Sequence, residues 1–262
     1  MMSQEDPRTV AVLLSSTDPA EIGLGLAMVR SRLPDLTQDE MRSFFDMISA
    51  LFYIDPLDLP GHMPVLEDAI AIVADFGPPV IPMLIQSLEM GDVKAQMAAA
   101  QALGRIGAEA IDPLIAEYRH SCPEPSCHAF ILYALGKVKS PRIVAAVPVA
   151  LEAAASPDLE LRDSATRALG KFAESIPPSD LPAELRAAVL ERLRANLADT
   201  SPGIRSKAVR SLGKLARHRH LAAQEREQLG ITLRRLLGED EHFDWDKAYV
   251  VRKEAKEALG YV

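Results

Sequence analysis

The sequence is poor in aromatic residues and in cysteine. Only 5% of its 262 residues are Phe, Trp or Tyr, and two are Cys. Two cysteines in a chain of this length argue against a scaffold built on disulfides. No apolar run approaches the roughly 18 residues that a membrane helix needs, and the acidic N-terminus lacks the basic and apolar regions of a secretory leader. We therefore expect a soluble, cytoplasmic protein.

Small aliphatic residues take the place of the missing aromatics. Hydrophobic residues make up 48% of the chain, so a substantial core of Ala, Leu, Val and Ile can form. The 19 prolines fall mainly at expected helix starts and turns, which argues against disorder. The composition therefore favours a folded, helical chain with small side chains in its core.

The tripeptide Ala-Leu-Gly recurs along the chain, once with Ser in place of Ala. Successive glycines of the motif lie 32, 34, 43 and 47 residues apart, a range typical of solenoids built from stacked helical units. The two longer spacings predict insertions near Pro177-Pro178 and in the acidic stretch 239–246. The five glycines are Gly104, Gly136, Gly170, Gly213 and Gly260.

Positions counted from this glycine define a repeat frame. Apolar residues recur at offsets −9, −5, −2, −1 and +2, which together form one face of an α-helix. The middle of that face is mostly Ala, so neighbouring helix backbones can approach closely. A glycine inside a helix costs about 0.5–1 kcal/mol relative to alanine. Its recurrence therefore predicts tight packing at that position.

The segment 158–170 contains Asp158, Arg162, Ala165 and Ala168-Leu169-Gly170 in this frame. It resembles the second helix of the HEAT-repeat family, including the short repeats of bilin-lyase-type proteins. Prolines followed by apolar residues, at Pro82, Pro113 and Pro148, resemble the family's first helix, where such a proline kinks or starts the helix. The resemblance is strong over 79–262 and weak over 1–78. It implies an all-α fold: an α-solenoid of stacked antiparallel helix pairs, or HEAT-like superhelix.

The resemblance also implies a ladder of hydrogen bonds between repeats, made in the family by Asp at offset −12 and Arg at −8. Here only Asp158 with Arg162 supplies both residues. Gln96 and His128 take the Arg position in the first two copies, and Ser201 and Ala248 take the Asp position in the last two. We therefore expect a partial ladder.

The chain is expected to form one continuous, elongated domain. Residues 61–262 hold the HEAT-like repeats, with about five clear copies. Residues 1–60 are interpreted as an N-terminal helical cap of degenerate repeats, which closes the end of the Ala-rich stack. An aromatic docking surface around Phe44, Phe45 and Phe52 is the alternative.

Charge is distributed unevenly. The chain carries −8 overall, but residues 1–92 carry −11 and residues 161–220 carry +6. Basic residues recur at offsets −8, −3 and +1, and the HEAT resemblance places second helices along the concave surface. The predicted partner-binding basic stripe consists of Arg105, Lys137, Arg162, Arg167, Lys171, Arg205, Arg210 and Lys214.

Such a stripe fits a protein partner, and an acidic one in particular. The alternative is that these residues only keep the surface solvated, since cations near a helix C-terminus are favoured by the helix dipole. A pI near 5.3, few aromatics in the basic stretch and no base-reading motif argue against nucleic acid.

The residues His120, Cys122, Cys127 and His128 are the ones of metal-ligand type that cluster. Their Cys-x4-Cys spacing differs from that of a zinc knuckle. In the repeat frame Cys127 takes a buried apolar position and His128 the Arg position. We therefore predict no metal site and no cofactor.

No catalytic residue set emerges from the sequence. The function predicted is a non-catalytic protein–protein interaction scaffold or adaptor that binds its partner on the concave helix face. We expect a monomer or weak homodimer that does not bind membranes. The alternatives are a bilin lyase or isomerase-like subunit, which the repeat resemblance implies, and a HEAT-like nucleic-acid-binding protein.

Overall fold

A computed structural model describes residues 7–90, 92–120, 125–241 and 244–262. All regular secondary structure in these ranges is helical, as predicted. The α-helices are α1 (Pro7–Leu14), α2 (Pro19–Arg32), α3 (Gln38–Ser49), α4 (Met63–Asp75), α5 (Ile81–Met90), α6 (Val93–Ile106), α7 (Ile111–His120), α8 (Pro125–Leu135), α9 (Val147–Ala153), α10 (Leu159–Phe172), α11 (Ala183–Asn196), α12 (Pro202–Arg217), α13 (Ala223–Leu237) and α14 (Tyr249–Ala258).

The helices form two layers. The even-numbered helices from α2 to α14 pack side by side in chain order, each against the next, and we call this layer the even row. Each odd-numbered helix packs on the even-numbered helix that follows it. The row extends from α6 through α4 to α2, so the degenerate N-terminal helices continue the stack. This is the predicted α-solenoid.

Side-chain caps begin several helices. Asp18 accepts a hydrogen bond from Ala20 N, and Thr37 forms a capping box with Glu40. The Thr37-Gln38-Asp39-Glu40 pattern predicts a third helix that runs through Ile54, but α3 ends at Ser49 and the residues Ala50–Tyr53 form a 3-10 turn. This tighter turn ends the helix shortly before Pro56.

The three prolines of the first-helix pattern all lie in the first turn of their helices. Pro82 and Pro148 are the second residues of α5 and α9, and Pro113 is the third residue of α7. A first-turn residue has no N–H partner within the helix, so proline costs nothing there. Each of these helices follows a 3-10 turn, and the prolines start helices rather than kink them.

The predicted apolar face of the even row is buried. The residue at offset −5 is fully buried in all five copies, and it is alanine in four of them. Within the described residues, no one helix has both the length and the composition to cross a bilayer. Pro60–Asp75 and Pro78–Glu89 reach that composition only as a pair, which bends by 106° at the break between them.

The motif glycines mark close approaches between neighbouring even helices. A Cβ built on Gly104 would lie 3.0 Å from the main-chain carbonyl carbon of Lys137, and one on Gly213 would lie 2.9 Å from Ala258 Cβ. One on Gly170 would lie 2.6 Å from Ser211 Cβ. These distances confirm the predicted tight packing at three positions.

The other two glycines do not require tight packing. A Cβ on Gly136 would make an ordinary contact of 3.7 Å with Lys171 Cβ, and one on Gly260 would meet nothing within 4 Å. Gly260 closes the last helix of the row, where no further helix packs against it. The prediction is therefore wrong at these two positions.

Candidate functional site

One side of each of the five motif helices, α6, α8, α10, α12 and α14, is turned away from the buried face, with Ala129 of α8 as a buried exception. It carries the residues at offsets −11, −7, −3 and +1, which follow one another at intervals of four and so lie on one helix face. We call these residues the exposed stripe of each helix. In α6, α8, α10 and α12 the stripe begins with an apolar residue and ends with a cation. In α14 it consists of Tyr249, Lys253, Glu257 and Tyr261.

The N-terminal ends of the stripes carry exposed apolar side chains. Val93 and Leu159, at offset −11, are 60% and 52% exposed, and Tyr249 at the same offset is 70% exposed. Met97, at offset −7 in α6, is 41% exposed. We call this row the apolar edge: Val93, Met97, Leu159 and Tyr249.

The C-terminal ends of the stripes carry cations in four of the five helices. Arg105, Lys137, Lys171 and Lys214 occupy offset +1, and Arg167 and Arg210 occupy offset −3. Favourable interaction with the carbonyl end of the helix dipole helps to place cations there. We call these six residues the basic edge.

A cleft opens between α8 and α10 around Tyr133. The ammonium of Lys137 lies 4.8 Å and the guanidinium of Arg167 5.3 Å from the centre of the Tyr133 ring, so both cations stack on the phenol. Among the described residues, neither cation makes a salt bridge with a carboxylate. Asp163 also lines this cleft but forms an ion pair with Lys207 of α12, the next helix of the even row.

An apolar recess adjoins this cleft. Its lining includes Val93 and Met97 from α6, Phe130 from α8 and Leu159 from α10. The recess and the cleft share Tyr133, Asp163, Ser164 and Arg167 as lining residues. The surface across α6, α8 and α10 is thus a continuous depression, with apolar side chains at one end and cations at the other. The carboxylates of Glu160 and Asp163 also belong to its lining.

Two members of the predicted basic stripe, Arg162 and Arg205, form ion pairs between repeats. Arg162 donates from Nε to Asp199 at 2.7 Å, and a second nitrogen donates to the carbonyl oxygen of Ser156 at 2.7 Å. Arg205 repeats this arrangement with Asp246, again at 2.7 Å, and with the carbonyl of Asp199. Each arginine therefore joins its own loop to the loop of the next repeat.

This ladder uses a different aspartate from the one predicted. The sequence paired Asp158 with Arg162, but Asp158 instead accepts a hydrogen bond from Leu161 N and caps α10. The ladder carboxylates, Asp199 and Asp246, lie six residues before Arg205 and Arg252. That spacing was present in the sequence and would have identified both residues.

Gln96 and His128 take over part of the arginine's role in the first two repeats. Gln96 donates from Nε2 to the carbonyl of Leu88 at 2.8 Å, and His128 Nε2 lies 3.0 Å from the carbonyl of Tyr118. These side chains hold the preceding helix end as arginine would. Among the described residues, the Arg–Asp link to the next repeat is made by Arg162 and Arg205, both in the C-terminal half.

Glu174 forms ion pairs with three lysines from three successive repeats. Its carboxylate lies 3.0 Å from the ammonium groups of Lys139 and Lys214, and 3.1 Å from that of Lys171. Burial opposes ionisation of this carboxyl, but hydrogen bonds from Lys214 and Lys139 and the charge of Lys214 lower its pKa to about 2. Burial lowers the pKa of Lys214 to about 8, and the bond to Glu174 offsets part of that effect.

The remaining predicted cations also have partners within the chain. Arg210 forms a two-pronged ion pair with the buried carboxylate of Glu254, with Nε 2.8 Å from Oε2. Arg105 donates to the carbonyl of Glu67 at 3.2 Å. Lys137 and Arg167 are thus the cations of the basic edge that contact an aromatic ring.

The candidate metal ligands are placed as packing residues where the structure describes them. Cys127 is buried and disulfide-bonded, His128 packs against Tyr118 with ring centres 4.4 Å apart, and His120 Nδ1 lies 2.9 Å from the carbonyl of Ala116. Cys122 lies outside the described residues. No group of three or more metal-binding side chains occurs in the described ranges.

Residues 95–119, from α6 into α7, match the family model of the PBS lyase HEAT-like repeat. No curated protein is detectably similar in sequence to this chain. Among solved structures, a chain of the complex of CpcE and CpcF of phycocyanin lyase from Nostoc sp. PCC7120 is 22% identical, with a TM-score of 0.53. The match covers 68% of this chain and 97% of that one.

Two further structures cover more of the chain. An engineered protein is 20% identical with a TM-score of 0.50, over 96% of this chain and 94% of that one. The archaeal HEAT-like repeats protein from Thermococcus onnurineus NA1 is 15% identical with a TM-score of 0.49, over 98% and 97%. The predicted resemblance is confirmed: this chain carries a HEAT-like repeat of the PBS lyase type within an α-solenoid fold.

Proposed function

We propose that this protein is a non-catalytic scaffold or adaptor that holds a partner protein on the exposed stripes of α6, α8 and α10. The observation that carries the proposal is the continuous depression in which an apolar recess meets the cations around Tyr133. Protein partners commonly offer both an apolar side chain and a charge to such a site. A scaffold needs no further chemistry from these residues.

The binding test should change those residues of the basic stripe that can contact a partner without breaking an internal link. Arg162 and Arg205 belong to the ladder, and Lys171, Lys214 and Arg210 neutralise Glu174 and Glu254. Reversing those charges would place carboxylates together inside the fold and confound a binding test. Lys137 and Arg167 are therefore the pair to change.

The test compares partner capture by three forms of the chain from a lysate of the source organism. The first is the unaltered chain, and the second carries Lys137→Glu and Arg167→Glu. The third carries Arg142→Glu and Arg226→Glu, an equal charge change outside the even row. Partners captured by the first and third forms but not by the second support the proposal, and equal capture by all three contradicts it.

The likeness to a phycocyanin lyase chain, at 22% identity, shows a shared fold alone. A bilin-related role would change the absorbance of a bilin when it is mixed with the chain and an apoprotein. A scaffold acting through the Tyr133 cleft predicts no such change.

A further inference from the structure

The exposed stripes of neighbouring even helices share one polarity. The apolar residues Val93, Leu159 and Tyr249 stand at the N-terminal ends of their helices, although these helices belong to different repeats. Pro202 is exposed at the same offset in α12. Lys137, Lys171 and Lys214 stand at the opposite ends. Because the even helices lie side by side, these residues form two rows that run along the array, across the helices.

The distance between the two rows is comparable to the width of one helix. Offset −11, occupied by Val93 and Leu159, lies eight residues before offset −3, occupied by Arg167, and twelve before offset +1, occupied by Lys137. At about 1.5 Å per residue, these steps correspond to about 12 Å and about 18 Å, against about 10–12 Å for an α-helix with its side chains. Met97, at offset −7, and Tyr133, at offset −3, lie between the two ends. A helix laid across α6, α8 and α10 would therefore contact the apolar edge on one flank and the basic edge on the other.

We propose that the occupant of this site is an amphipathic acidic helix of a partner protein, which lies across the even helices. Its apolar side chains face Val93, Met97 and Leu159, and its carboxylates face Lys137 and Arg167. This inference rests on the proposed function, because it requires that a partner protein binds these stripes. The inference adds the chemistry of the bound segment and the direction in which that segment lies.

Charge distinguishes this occupant from the other macromolecules that a basic surface attracts. Nucleic acid would fill the cationic flank but has no aliphatic side chains for the recess. An anionic membrane would meet a chain that carries −8 overall and −11 in its first 92 residues, which repels such a surface. A partner helix with carboxylates on one flank satisfies both edges at once.

Selection from a random peptide library displayed on phage tests the proposal. The full chain is the bait, and the variant with Lys137→Glu and Arg167→Glu serves for counter-selection. A second selection uses a variant with Met97→Gln and Leu159→Gln, which removes apolar side chains that are already exposed. Fluorescence anisotropy of the selected peptides then gives their affinities for all three forms of the chain.

We expect selected peptides in which apolar residues recur at helical spacing and Asp or Glu lies on the opposite face. Each variant should weaken their binding by about tenfold or more, about 1.4 kcal/mol. Peptides that depend on Lys137 and Arg167 but lack the two-faced pattern would overturn the proposed helix and leave the proposed function standing. A selection that yields no peptide sensitive to these cations would contradict both. Binding of phosphatidylserine vesicles in preference to any selected peptide would overturn the helix in favour of a membrane.

Discussion

Gly170 of α10 packs directly on Ser211 of α12, so closely that a Cβ at position 170 would lie 2.6 Å from Ser211 Cβ and 2.7 Å from its Cα. Ser211 donates a hydrogen bond from Oγ to the carbonyl of Thr166 at 2.9 Å, which fixes it against α10. The main chain of one helix therefore occupies the space that a side chain on the other would need.

We expect Gly170→Ala to destabilise the protein. The added methyl meets a Cα, which cannot rotate away, so the two helices must separate. Overpacking of this kind costs about 1–3 kcal/mol, more than the helix propensity that alanine gains. Urea denaturation followed by circular dichroism measures the change in the free energy of unfolding.

Gly260→Ala is the matched control for that substitution, because a Cβ at position 260 meets nothing within 4 Å. Its stability should equal or slightly exceed that of the unaltered chain. Equal effects at positions 170 and 260 would show that the close approach does not explain the retained glycine.

The ladder pair Arg205 and Asp246 should stabilise the C-terminal repeats. Their side chains are only 17% and 8% exposed, and two hydrogen bonds of 2.7 and 2.9 Å join them. We expect Asp246→Ala to cost about 1–3 kcal/mol, because it leaves a partly buried guanidinium without its carboxylate. A double-mutant cycle with Arg205→Ala, measured by urea denaturation, should give a favourable coupling energy.

A pair that is exposed supplies the comparison. Arg142 and Asp112 lie 2.9 Å apart, but their side chains are 59% and 71% exposed, so their coupling should be close to zero. A coupling energy for Arg205 and Asp246 no larger than that of this pair would contradict the ladder's structural role.

Acid should remove the stabilisation that Glu174 provides. Lysines lower its pKa from 4.5 to about 2 in the folded chain, so the unfolded chain takes up this proton first as the pH falls. The contribution is complete above about pH 4.5 and is lost between about pH 4.5 and 2. Glu174→Gln should therefore destabilise the protein by about 1–3 kcal/mol near neutral pH and by less in acid.

Urea denaturation of both forms at several pH values measures this difference. A difference between the two forms that stays constant from neutral pH down to about pH 3 would show that the charge of Glu174 contributes nothing. Asp112→Asn, at an exposed carboxylate, controls for general effects of acid.

The sequence predicts the layered helical fold well because a single local pattern sets it. The apolar offsets define one buried face, and Asp18 and Thr37 mark helix starts through local hydrogen bonds. All of these signals lie within a few residues of the structure that they specify. The same reasoning places Cys127 in the core.

Features that depend on the relation between repeats were harder to predict. Gly104 and Gly136 face the residue at offset +1 of the next helix, whereas Gly170 and Gly213 face the residue at offset −2. The packing register thus shifts by three residues along the array. The shift coincides with the longer odd helices α11 and α13, of 14 and 15 residues, where the spacing alone had suggested loop insertions.

The candidate site was only partly predictable for a similar reason. Repeat positions placed Lys137, Arg167 and Lys214 on one face, but could not show that Lys214 is held by Glu174 across two helices. Nor could they show that Tyr133 contacts both Lys137 of its own repeat and Arg167 of the next one, because this depends on how α8 and α10 are aligned. The apolar residue that recurs at offset −11 can be read from the sequence, but it lies outside the buried face that the other apolar offsets define.

The two edges of the site should make separable contributions to partner binding. The variant with Met97→Gln and Leu159→Gln removes apolar contact area, so it should weaken binding of the captured partner without changing how binding depends on salt. The variant with Lys137→Glu and Arg167→Glu removes charge attraction, so its residual binding should depend less on ionic strength. Because all four side chains are at least partly exposed, both variants should unfold within about 0.5 kcal/mol of the unaltered chain. Titrations at low and high salt measure both effects, and an identical loss of salt dependence in the two variants would show that the apolar and basic edges do not act as separate contacts.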